Sequence, residues 1–132
     1  MAIDWAFVGV GPVGEELAPL ITMRADPDPG LARGHVEETV VDGYVIGLQE
    51  AGWQGDPRLV RLGYAATAPL RYSLLTAGIL ALTLLQEDGI AALEQRRGQP
   101  IERIVAQDAA FVTYLLDLAD EARRLLPLVD AH

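Results

Sequence analysis

The 132 residues contain no cysteine, no lysine and no asparagine, and Ser73 is the sole serine. Without cysteine there is no disulfide framework, no thiolate metal site and no cysteine nucleophile. Without lysine there is no P-loop lysine, no Schiff base and no kinase-type ATP-binding lysine. What remains for chemistry is carboxylate, arginine, two histidines, threonine, tyrosine and backbone.

Charge of one sign is also scarce: ten basic residues, all arginine, face nineteen acidic ones, for a net charge of −9. Such a field repels phosphate, which argues against nucleic acid and anionic membrane as partners and leaves room for a cationic one. Arg58, Arg61 and Arg71 are too sparse, and too poor in interleaved aromatics, for a nucleic-acid patch. At 51% hydrophobic and 22% charged residues the composition is globular. The length fits one domain over 1–132 with a core that needs no staples. Met1 to Val8 has no basic leader, and the most apolar run, Tyr72 to Leu85, is shorter than the ~20 residues of a membrane span. It reads as a buried core helix, and the protein as cytoplasmic.

Ala2 to Val10 is rich in β-branched and aromatic residues and predicts a short strand ending in the turn Gly9-Val10-Gly11-Pro12. From Gly14 to Thr22, Leu17, Leu20 and Ile21 follow helical spacing. The loop Ala25-Asp26-Pro27-Asp28-Pro29-Gly30 interrupts it. Val36, Val40, Tyr44 and Leu48 then form one stripe that stops near Gly52, and Asp56-Pro57 opens a long helix through Gln86 with a bend at Pro69. A short helix ends at Gly98, and Pro100 opens a last one that Pro127 should end. Along this last helix, Ile104, Val105, Leu115, Leu116 and Leu126 are part of a broad apolar face. The expected fold is mainly α: a short N-terminal β-strand followed by a four- to five-helix bundle.

Gly9-Val10-Gly11-Pro12-Val13-Gly14 matches the G-x-G-x-x-G pattern of dinucleotide sites. The required second strand with an acidic end is replaced by the Asp26-Pro27-Asp28-Pro29 loop, so a turn that needs glycine is the better reading. The adjacent pairs Glu15-Glu16, Glu37-Glu38 and Glu87-Asp88 read as solvated helix faces, since neighbours on a helix do not face each other. Trp5, Trp53 and Tyr64 read as core or rim packing, and His35 as a surface or capping histidine.

Ala2-Ile3-Asp4-Trp5, Gly9-Val10-Gly11-Pro12 and Gly14-Glu15-Glu16-Leu17-Ala18-Pro19-Leu20 resemble the segment after the catalytic loop of the aminoglycoside/choline kinase-like phosphotransferases. Gly47-Leu48-Gln49-Glu50-Ala51-Gly52-Trp53 and Leu118-Ala119-Asp120-Glu121-Ala122-Arg123 are similar to that family's helical C-terminal part. The resemblance implies that Asp4 is the aspartate that holds magnesium on the nucleotide phosphates. Glu16 replaces the family's usual aspartate, a methylene shorter, which puts local backbone hydrogen bonding there in doubt. Glu37, Glu38 and Asp42, near one helical face, would attract a cationic, amine-bearing substrate. The family's His-Gly-Asp loop, its asparagine and its ATP lysine have no counterpart. The expectation is a substrate-side fragment, inactive alone and binding neither ATP nor magnesium by itself, which dimerises through the unpaired Ala2 to Val8 strand or the surface the missing part vacates. The alternative is a stand-alone all-helical binding module without catalysis.

Overall fold

A computed structural model of the chain describes residues 10–22 and 32–129, with the side chains of 32–35 left out. Five helices follow in order: α1 (Leu17–Thr22), α2 (Ala32–Glu50), α3 (Pro57–Leu84), α4 (Gly89–Arg97) and α5 (Ile101–Val129). Among the described residues there is no strand, and the expected strand from Ala2 lies outside them. The α3–α5 antiparallel pair is the spine. α1 and α2 pack on the first half of α3, and α4 joins the far ends of α3 and α5.

Asp56 caps α3 as its sequence position suggests: the carboxylate accepts from the Arg58 N–H at 2.9 Å, with Pro57 in the first turn. The start of α5 is capped from α4, whose Glu94 carboxylate accepts from Ile101 N–H at 2.8 Å. α3 carries Pro69 in its interior and continues through it.

The core gathers Leu17, Ala18 and Ile21 of α1, Val41 of α2, Val60, Tyr64, Ala65 and Ala68 of α3, and Leu115 and Leu118 of α5. Its closest approach is between backbones. A Cβ on Gly63 would lie 2.0 Å from the Val13 carbonyl oxygen, and one on Gly14 would lie 2.2 Å from the Val60 oxygen. Gly14 also has φ +90°, a conformation L side chains avoid. The last glycine of the G-x-G-x-x-G pattern thus serves a turn seated directly on α3.

Four sequence expectations change. α1 begins at Leu17, after a turn held by Glu15 N–H to Pro12 and Leu17 N–H to Gly14, and Leu20 points to solvent. α5 passes Pro127 and ends at Val129, because in an exposed last turn the absent N–H forfeits only one hydrogen bond. The apolar face of α5 is narrower than its sequence suggests: Ile104, Leu115 and Leu118 are buried, whereas Val105, Leu116 and Leu126 are exposed. Finally, Tyr72 to Leu85 is no buried core segment, since Leu74, Leu75, Ile79, Leu82 and Leu85 all face outward.

By length and composition α3 is apolar enough to cross a membrane. Arg71 sits at its midpoint, where an arginine in a spanning helix costs about 3 kcal/mol.

Candidate functional site

Glu37, Glu38, Val41, Asp42 and Val45 lie on one side of α2, as spacings of one, four, five and eight residues require. Opposite them stand Pro57, Arg58 and Arg61 from the start of α3, and Glu121 of α5 closes the floor. Together these residues line a cavity of about 470 Å³, within the range of small-molecule sites. Glu37, Glu38 and Asp42 are therefore brought to one place, although they differ in what they do there.

Glu37 is buried, contrary to the solvated face expected for it. One carboxylate oxygen meets Arg61 Nη1 at 2.5 Å, and the other accepts from the Tyr114 hydroxyl. The Tyr114 hydroxyl in turn is paired with that of Tyr64. Arg61 makes a two-point contact with Glu121, Nε to Oε1 at 2.5 Å and Nη2 to Oε2 at 2.7 Å, and its guanidinium carbon lies 5.4 Å from the centroid of the Tyr64 ring. The network thus ties α2, α3 and α5 together, and no buried side-chain polar atom among the described residues lacks a partner.

Burial works against the charge on Arg61, but the Glu121 hydrogen bond and the fields of Glu37 and Glu121 outweigh it and hold the guanidinium above its ordinary range. Burial pushes the Tyr114 phenol well up, helped by its hydrogen bonds with Glu37 and Tyr64. Tyr44 is pushed up to about 12 by burial and then by Glu16, whose carboxylate accepts its hydroxyl proton. Glu16 therefore reaches across to α2.

These tyrosines shape the alkaline stability. An unfolded tyrosine ionises near pH 10, while folded Tyr114 keeps its proton, so its contribution is present below pH 10 and is lost as pH rises beyond it. No lysine or cysteine titrates in the same window. Unfolding free energies from urea melts between about pH 9 and pH 12 should fall with a slope that Tyr114→Phe reduces by up to about 1.4 kcal/mol per pH unit. An unchanged slope in the variant would refute the assignment.

With Glu37 and Glu121 bound to Arg61, and Asp56 paired with Arg58 on the rim at 2.5 Å, two cavity carboxylates remain. Glu38 and Asp42 are exposed, stand one helical turn apart, and make no ion pair among the described residues. Four carboxylates against two arginines give the lining a formal charge of 2 − 4 = −2.

Sequence reading missed the parts that Arg61, Tyr114 and Glu121 play. A usable signal was present at Arg61: it lies between Val60 and Tyr64 on the buried face of α3, where an arginine demands a carboxylate. Asp4 lies outside the described residues, as does the side chain of His35. Among the described residues no group of three histidine, aspartate or glutamate side chains is arranged to hold a metal ion. No protein-family model, no curated protein and no solved structure matches the chain.

Proposed function

We propose that the chain is the substrate-side helical part of a kinase-like phosphotransferase, and that the cavity between α2, α3 and α5 seats a small cationic substrate. The observation that carries the reading is the pair Glu38 and Asp42, one helical turn apart in a cavity of about 470 Å³ and without an ion pair among the described residues. Glu37 has a different part here: it fixes α2 against α3 and α5 and so holds the pair in position. In such a family ATP and magnesium supply the phosphoryl group, and this chain's own residues bind and orient the accepting molecule through its amines. The family's His-Gly-Asp loop has no counterpart in this sequence, so on this reading the chain alone does not phosphorylate. On this reading the protein is cytoplasmic, as an ATP-dependent family requires, and its net charge of −9 disfavours nucleic acid and anionic membrane as partners.

Calorimetric titration with spermidine at low salt tests the site. Glu38→Gln with Asp42→Asn should weaken binding by about tenfold or more, the loss of two charge-assisted contacts. Glu102→Gln with Asp117→Asn removes the same charge from exposed positions elsewhere on α5 and should leave affinity nearly unchanged. Equal losses in the two variants would reduce the binding to the protein's overall field and sink the site.

The second reading, a helical interaction module without catalysis, draws on the outward-facing leucines of α3. Under it the cavity is indifferent to organic cations.

A further inference from the structure

The second half of α3 shows solvent a face that no other described element covers. Leu70, Leu74, Leu82 and Leu85 are 79%, 79%, 66% and 83% exposed. At 100° per residue they fall on one broad strip, on the side turned away from α5. Gly78 lies at its centre, and Leu74, Leu75, Ala81 and Leu82, each about one turn away, are all exposed. A glycine in mid-helix costs about 1 kcal/mol relative to alanine. Gly63 on the same helix offsets that by letting the α1 turn approach, but a Cβ on Gly78 would meet nothing within 4 Å. Nothing among the described residues requires it.

Charge selects the occupant. Between Arg71 and Glu87 the sequence has no charged side chain. Arg71 at one end and Glu87 and Asp88 at the other are exposed, and none of them makes an ion pair among the described residues. The face is therefore basic at one end, acidic at the other and neutral between, which makes it complementary to itself when reversed. A two-fold axis at Gly78 sets Leu74 opposite Leu82 and brings Arg71 within reach of Glu87 of the second copy. Two chains of net charge −9 repel over most of their surface, and this face brings together only opposite charges.

We propose that the second half of α3 is a homodimer interface, in which two copies pack antiparallel about Gly78. The contact is isologous, so it closes at two. It does not rest on the cation-binding reading.

Sedimentation equilibrium of the full chain at micromolar concentration should give a mass about twice 14.2 kDa. Leu74→Glu, at a position already exposed in the single chain, should raise the dissociation constant by about tenfold or more while leaving the helical circular dichroism unchanged. Arg71→Glu should weaken the dimer, and adding Glu87→Arg should restore it, a rescue that non-specific hydrophobic adhesion does not show. Because the chain has no cysteine, Gly78→Cys tests the axis directly: oxidation with diamide should link two copies, whereas Leu70→Cys should not link. A monomeric mass, a dimer indifferent to Leu74→Glu, or a monomer that co-sediments with phosphatidylcholine vesicles through this face would each overturn the proposal.

Discussion

Arg61→Leu lowers the stability by about 3–5 kcal/mol, and adding Glu37→Gln returns a large part of that loss. The reason is asymmetric. Arg61 is about a quarter exposed, but its partner Glu37 retains only 8% of its side-chain surface, so removing the guanidinium strands a carboxylate with little access to water. Glu121, at 27%, hydrates once released and adds less. Glutamine at position 37 is neutral and still offers an oxygen to the Tyr114 hydroxyl, so the double variant loses attraction without burying an unpaired charge. Urea unfolding of wild type, both single variants and the double variant gives the coupling, expected at about 2 kcal/mol. Additive losses would mean that Glu37 does not depend on Arg61, and the network would have to be discarded as the tie between α2, α3 and α5.

Gly63→Ala is expected to be nearly as damaging, at about 3 kcal/mol, with a melting temperature lower by roughly 10 °C. The added methyl carbon would stand 2.0 Å from the Val13 carbonyl oxygen, a backbone atom that no rotamer change removes. Relief requires the turn before α1 to lift from α3, and with it Leu17, Ala18 and Ile21, all buried. Gly47→Ala on α2 is the control: a Cβ there meets nothing within 4 Å, and better helix propensity should stabilise the chain by up to about 1 kcal/mol. Thermal melts of the two variants should therefore move in opposite directions. A Gly63→Ala melt equal to wild type would show that α1 does not seat on α3 as described.

Helix positions were legible because their signals are local. Asp56-Pro57, the glycine after Arg97 and Pro100 each act within one turn, and α3 begins, α4 ends and α5 begins close to where these residues set them. Pro127 was misread because the penalty for proline depends on whether the lost hydrogen bond lies in a helix interior or a wet last turn. Leu74 and Leu82 were misread because an apolar run states what prefers burial, whereas the number of neighbouring helices decides what receives it. In the candidate site, Glu37, Glu38 and Asp42 were legible as one face of α2. Their division of labour was not, since the partners of Glu37 stand 24 and 77 residues away, at Arg61 and Tyr114.

The sequence by itself determined the helical composition of the described chain, the breaks between helices, the absence of thiol and lysine chemistry and the acidic balance. Each of these follows from residue identity or from contacts within a turn. Only the tertiary structure decided that Glu37 is a buried strut while Glu38 and Asp42 line the cavity without an ion pair among the described residues, and that the space at Gly63 is filled by a neighbour while none of the described residues approaches Gly78. Burial and pairing depend on which surfaces meet, and residues identical in type take opposite roles according to what the fold sets against them.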